Sequence, residues 1–204
     1  MNRDISVVIA IGGLGTRLKN ITRGIPKPLF PVAGIPTLIR TLNELKHYGF
    51  KKIILTTCFK KEIFKEFLNK YKIDFDELII YEEEEPLGEC GALWKILPKL
   101  ESRTLFINGD LIFSINFEKL VNFHKRINSD ITLVTHPSSH PEDSDMISCP
   151  NGSFVENLFH KKRNNKDKIK PLLGNSGISI FKTSILREFK PNKNDIKPSL
   201  FGFL

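Results

Sequence analysis

Ile5-Ser6-Val7-Val8-Ile9-Ala10-Ile11 runs directly into Gly12-Gly13-Leu14-Gly15-Thr16-Arg17-Leu18, and Pro26-Lys27-Pro28-Leu29 follows shortly after. Within the apolar run, Val7–Ile11 reads as a buried strand. It empties into a glycine-rich turn, then an arginine, then a lysine held between two prolines. Glycine has no side chain to keep a ligand off the backbone, so the N–H groups of such a turn can approach phosphate oxygens closely. Arg17 and Lys27 bring positive charge to the same place. The pattern predicts binding of a nucleoside triphosphate, with Gly12, Gly13, Gly15 and Thr16 supplying the backbone contacts. A Walker loop would need glycine where Arg17 stands, and a dinucleotide fingerprint would need glycine at Leu18, so both are excluded.

Downstream of this turn, strand and helix patterns alternate. Pro36 to Tyr48 reads as a helix with Leu38, Leu42 and Leu45 on one face and Gly49 at its stop. Lys52–Cys58 reads as a strand, Lys61–Tyr71 as a helix with Ile63, Phe64, Phe67, Leu68 and Tyr71 apolar, and Leu78–Tyr81 as a short strand. Glu89–Leu100 reads as a helix, Arg103–Asn108 as a strand ending in Gly109-Asp110, Phe117–Ile127 as a helix and Asp130–Thr135 as a strand. Regular alternation of this kind predicts an α/β fold, a doubly wound, mostly parallel sheet. Ligands of such sheets bind beyond the carboxyl ends of the strands. Gly12–Arg17, Glu82–Gly91 and Asn108–Asp110 all follow strands, so they are expected on one rim.

The pattern changes after residue 135. His136 to Gly152 is rich in Pro, Ser and Asp and reads as loop. Ser153–Phe159 and Gly177–Phe181 read as strands, and Thr183–Phe189 as a short helix. His136 and His140 each precede proline, so the helical spacing of a metal-binding pair is not formed.

The chain has 204 residues and a formal net charge of +8, with 40% hydrophobic and 26% charged residues. That suits one soluble domain, residues 1–204, with a nucleotide-binding half (1–135) and an acceptor half (136–204). No run is long enough for a membrane helix, and Asp4 with the glycine turn argues against a signal peptide. Cys58, Cys90 and Cys149 form no Cys-x-x-Cys pair, so neither a disulfide framework nor a zinc knuckle is indicated, and a cytoplasmic location is expected. Much of the positive charge lies in Lys161–Lys170, which lacks interleaved aromatics. It reads as a solvated basic loop, so neither nucleic acid nor membrane is an expected partner.

The glycine turn together with Pro26-Lys27-Pro28-Leu29 resembles the signature of the sugar-phosphate nucleotidyltransferases. The resemblance implies a Rossmann-like nucleotide-diphospho-sugar transferase fold. It also implies a reaction in which a sugar 1-phosphate oxygen attacks the α-phosphorus of an NTP and pyrophosphate leaves. Arg17 is then expected against the β- and γ-phosphates, and Lys27 near the α-phosphate or the incoming sugar phosphate. Asp110 matches the aspartate that holds Mg²⁺ in this family, although a lone carboxylate at a strand end can also cap or turn the chain.

Pro86-Leu87-Gly88-Glu89-Cys90-Gly91-Ala92-Leu93 resembles the base-recognition segment of guanylyltransferases acting on mannose 1-phosphate and heptose 1-phosphates. Gly88 and Gly91 would let it approach base and ribose, and GTP is the implied donor; Glu89 and Cys90 stand where those relatives have Thr and Ala. Within Phe159-His160-Lys161-Lys162, Lys162 is expected on the sugar phosphate, while Lys161 replaces the family's Glu. In Asn175-Ser176-Gly177-Ile178, Asn175 and Gly177 are expected to line the sugar pocket. Relatives continue past this C-terminus and supply a second metal-binding aspartate, for which Asp195 is a poor substitute. The expected product is a GDP-sugar for surface glycans, made by a chain that is a truncated catalytic domain, part of a homo-oligomer, or fused to a C-terminal domain. Two readings stay open beside it: a cytidylyl- or thymidylyltransferase acting on a hexose 1-phosphate, and a non-catalytic nucleotide-sugar-binding subunit or fragment.

Overall fold

The computed structural model describes residues 2–13, 22, 24–58, 61–88, 90–138, 145–159 and 172–188. Strand β1 (Ile5–Ala10) is the spine. It pairs in parallel with β4 (Lys52–Thr57) on one side and β6 (Arg103–Asn108) on the other, and β5 (Glu77–Glu82) adds in parallel to β4. Ile5, Val7, Val8 and Ile9 are all fully buried, because a central parallel strand is covered on both faces.

The two faces carry different residues of the same strand. Ile5, Val7 and Ile9 point into a core shared with α1 (Thr37–His47), α2 (Lys61–Lys70) and α4 (Phe117–Ile127). Val8 and Ala10 point into the opposite core, against α3 (Ala92–Ile96) and α5 (Ile185–Glu188). The period of two along β1 thus decides which helix packs where. Trp94 of α3 closes the second layer by donating its indole N–H to the Leu186 carbonyl at 2.8 Å.

Beyond β6 the sheet changes direction. The long strand β10 (Leu172–Lys182) lies antiparallel to β6, and β7 (Ile131–Pro137) lies antiparallel to β10. β7 therefore runs in the same direction as β6 without pairing with it. β8 (Met146–Ser148) and β9 (Asn157–Phe159) extend the antiparallel part, for eight strands in the sheet among the described residues. A separate hairpin, β2 (Pro31–Val32) with β3 (Ile35–Pro36), turns through Ala33 and Gly34, both at positive φ. That pair of conformations suits the twist of a tight hairpin.

Several expectations need correction. The helix expected over Glu89–Leu100 spans only Ala92–Ile96 and then tightens into a 3₁₀ turn at Leu97–Lys99, where Pro98 has no N–H to continue it. The segment 136–152 expected as loop contains the end of β7 and all of β8. Residues 153–156 are not strand, and only Asn157–Phe159 pair. The strand expected at Gly177–Phe181 begins earlier, at Leu172. The helix expected over Lys61–Tyr71 ends at Lys70. Among the described residues, no helix is long and apolar enough to cross a membrane.

Candidate functional site at the carboxyl rim of the sheet

The four parallel strands β5, β4, β1 and β6 all end on one edge, and the candidate residues gather there. After β1, the Ile11 N–H donates to the Thr56 carbonyl at 2.8 Å and carries the chain one step further along β4. Gly12 follows, pressed against β4. A Cβ there would stand 2.9 Å from the Cys58 nitrogen, closer than packing allows. The Cys58 thiol donates to the Gly12 carbonyl at 2.9 Å. Gly13 is exposed, and among the described residues nothing lies within 4 Å of where its Cβ would stand.

Asp110 arrives from the neighbouring strand by a similar device. The Gly109 N–H donates to the Ala10 carbonyl at 2.9 Å. A Cβ on Gly109 would stand 2.7 Å from that same oxygen, so the turn after β6 can cross the end of β1 only as glycine. The next residue is Asp110, its side chain 47% exposed.

Lys27 reaches it from the far side. Pro26 and Pro28 fix the chain direction, a 3₁₀ turn spans Lys27–Leu29, and buried Leu29 anchors that turn near α1. The Lys27 Nζ lies 3.3 Å from Asp110 Oδ2, across 83 residues of sequence. The cation and the carboxylate expected to act together are thus in contact.

On the other flank, the Glu83 N–H extends β5 by donating to the Thr57 carbonyl at 2.7 Å. Its carboxylate turns inward and accepts the Leu87 N–H at 2.8 Å, closing the loop that carries Gly88 at φ +85. Glu83 is only 7% exposed, and burial raises its pKa against the lowering effect of the Leu87 N–H. Gly91 packs so tightly that a Cβ would overlap the Leu87 carbonyl oxygen. Cys58, Lys61, Ile80, Tyr81 and Glu82–Glu84 line a cleft of about 720 Å³ beside this loop.

Asn175 and Gly177 complete the rim from β10. Gly177 has φ +77, and a Cβ there would stand 2.7 Å from Asn108 Nδ2, two residues before Asp110. The Asn175 side-chain oxygen accepts the Gly177 N–H at 3.2 Å, at the place where the pairing of β10 with β7 shifts register. Gly177→Ala meets both strain at positive φ and a crowded Asn108. We expect it to cost about 1–2 kcal/mol of stability, seen as a lower urea midpoint. An unchanged midpoint would show that the bulge relaxes freely.

Gly12, Gly13, Lys27, Gly88, Gly91, Asp110, Asn175 and Gly177 therefore belong to one edge. Gly15, Thr16, Arg17, Glu89, Lys162, the basic run 161–170 and Asp195 lie outside the described residues. Among the described residues no group of three or more His, Cys, Asp or Glu side chains is placed to hold a metal. Asp110 alone still fits Mg²⁺, which keeps several waters and takes one or two carboxylates plus substrate phosphates. Sequence reasoning missed Cys58 and did not single out Glu83 from its run of glutamates. A small residue just past the second strand, opposite the first glycine, was the available signal for Cys58.

This fold is that of the nucleotidyl transferase family, to which the chain belongs: the family's model matches residues 6–199. The chain is 30% identical over 202 residues to the mannose-1-phosphate guanylyltransferase catalytic subunit beta of Drosophila pseudoobscura pseudoobscura, covering 95% of this chain and 52% of that one. It is 31% identical over 191 residues to the D-glycero-alpha-D-manno-heptose 1-phosphate guanylyltransferase of Campylobacter jejuni, covering 91% and 79%. Among solved structures, HddC from Yersinia pseudotuberculosis complexed with GMP-PN superposes with a TM-score of 0.74 at 27% identity, covering 95% of this chain and 82% of that one. The chain spans about half the length of most of the mannose-type relatives it matches.

Proposed function

We propose that this protein transfers a guanylyl group from GTP to a heptose- or mannose-type sugar 1-phosphate. An oxygen of the sugar phosphate bonds to the α-phosphorus, the bond from that phosphorus to the β-phosphate's bridging oxygen breaks, and pyrophosphate leaves. The observation that carries this reading is the meeting of the glycine turn, Lys27 and Asp110 on one rim, with Lys27 Nζ 3.3 Å from Asp110 Oδ2. The names of the Drosophila, Campylobacter and Yersinia relatives support the guanylyl and sugar choices.

The chemistry is one of charge. Two anions must meet, and one cation 4 Å from an anion is worth about 4 kcal/mol at an effective dielectric near 20. In this reading the Gly12–Thr16 amides and Arg17 receive the leaving phosphates, and Lys27 steadies the α-phosphate. Asp110 holds Mg²⁺, which when bound supplies neutralising charge to the phosphates. Gly88 and Gly91 keep the loop after β5 close to base and ribose. Lys162 binds the sugar phosphate, and Asn175 and Gly177 border the sugar. Most of the catalysis comes from orienting the two substrates and stabilising the transition-state charge. Cys58, Cys90 and Cys149 form no disulfide with one another, which suits work in a reducing cytoplasm, where NTPs and sugar phosphates are available.

The test is pyrophosphate release across four NTPs with mannose, glucose and heptose 1-phosphates. GTP with a heptose or mannose 1-phosphate is expected to give the highest kcat/KM. Turnover only with CTP or dTTP removes the guanylyl assignment. Nucleotide binding without turnover under any Mg²⁺ concentration reduces the protein to a binding subunit.

A further inference from the structure

We infer that Cys58 is a positioning residue for the nucleotide, aiming the Gly13 N–H at the polyphosphate by pinning the Gly12 carbonyl. The inference rests on the nucleotide reading of the glycine turn and adds to it a residue from another strand.

The argument begins with the peptide unit. The Gly12 carbonyl and the Gly13 N–H belong to one planar trans peptide, so they point in opposite directions. The carbonyl is fixed toward β4, because the Cys58 thiol donates to it at 2.9 Å. The Gly13 N–H is thereby directed away from β4, and no described residue accepts it through a backbone bond. Gly13 is exposed, and no described residue comes within 4 Å of where its Cβ would stand.

Gly12 alone would not hold this orientation. Glycine is permissive in φ and ψ, so two in succession leave the peptide free to flip. A flip would turn the carbonyl oxygen outward, presenting an acceptor where a phosphate needs a donor. The tight fit of Gly12 on the Thr57–Cys58 backbone limits translation, with its Cβ position 2.9 Å from the Cys58 nitrogen, and the thiol limits rotation. The thiol also stays in the donating form. Burial raises its pKa, and the nearby Glu83 carboxylate pushes in the same direction, so at neutral pH it keeps its proton. This is the opposite of an activated nucleophilic cysteine, which needs a lowered pKa.

The experiment compares wild type, Cys58→Ala and Cys58→Ser in the full chain. Calorimetry measures affinity for inorganic tripolyphosphate, which has no base or sugar, and for GTP with Mg²⁺. Steady-state kinetics gives KM for each substrate. Cys58→Ala is expected to weaken tripolyphosphate and GTP binding by about three- to tenfold, the value of one lost hydrogen bond. The KM for GTP should rise while that for the sugar phosphate stays unchanged. Cys58→Ser, which keeps a donor, should return both affinities to within about twofold of wild type.

Wild-type affinity in Cys58→Ala overturns the inference and leaves the nucleotide reading standing. So does equal loss in both variants with a lowered melting temperature, which would mark Cys58 as packing only. A wild-type protein that binds neither tripolyphosphate nor GTP ends the nucleotide reading, and the inference with it.

Discussion

Asp110→Asn lowers the rate of pyrophosphate release by about a thousandfold or more while leaving the fold intact. The amide keeps the size and planarity of the carboxylate and loses its charge, which is the property a hard divalent cation requires. The fold should not notice. The Asp110 side chain is 47% exposed and pairs with Lys27 at 3.3 Å. A solvent-facing ion pair of that kind contributes about 0–1 kcal/mol. The melting temperature should therefore move little, while saturating nucleotide and sugar phosphate fail to restore the rate. Lys27→Met makes the complementary case. It frees the carboxylate for cation while removing a charge from the phosphates, so affinity for Mn²⁺ alone should rise as turnover falls. An Asp110→Asn protein with the wild-type rate would show that the metal is held elsewhere or is dispensable.

Most of the parallel half was legible because burial on both faces leaves a continuous apolar run. Ile53-Ile54-Leu55 and Leu105-Phe106-Ile107 are nearly or fully buried and were read at close to their true bounds. The antiparallel half was not. β8 is three residues between polar segments, and only its pairing with β10 and β9 makes it a strand. The first half of β10 contains Gly174-Asn175-Ser176-Gly177, which reads as a turn; in the sheet it is a strand with a register shift.

The site divides the same way. Gly12 follows an apolar run directly and Asp110 comes three residues after one, so local sequence places them. Cys58 acts on Gly12 from 46 residues away, a contact that only the parallel pairing of β1 with β4 creates. Glu83 is chemically identical to its neighbours Glu82, Glu84 and Glu85. It differs because β4 pairing continues for one more backbone bond and turns its side chain inward to the Leu87 N–H.

Acid exposes a second vulnerability, at His124 rather than at the rim. Helix α4 is capped by the Asn116 side chain and ends in Asn128 at φ +53, and His124 lies on its buried side with Phe117 and Val121. Its Nδ1 lies 2.9 Å from Thr132 Oγ1 on β7 and 3.3 Å from Ser129 Oγ, while buried Nε2 has no hydrogen-bond partner among the described residues. Burial drives the imidazole pKa from 6.5 down to about 4, and the Arg103 and Lys182 charges add to this against the pull of Asp130. The unfolded chain therefore binds the proton more readily than the folded one between those values, and folding stability falls as pH drops through the window. The contribution is complete above pH 6.5 and amounts to about 3 kcal/mol lost between pH 7 and pH 4. That is a large share of the 5–15 kcal/mol typical of a folded domain. Glu83, whose pKa is raised, has the opposite sign and is strongest in acid, so the bulk pH profile mixes the two. Comparing wild type with His124→Leu separates them. Thr132 and Ser129 already bond each other at 2.7 Å, so the substitution leaves no hydroxyl stranded. Urea unfolding of both proteins at pH 7 and pH 4 should give a stability difference that narrows by about 3 kcal/mol in favour of the variant. Parallel profiles for the two proteins would mean that the buried imidazole titrates alike in both states.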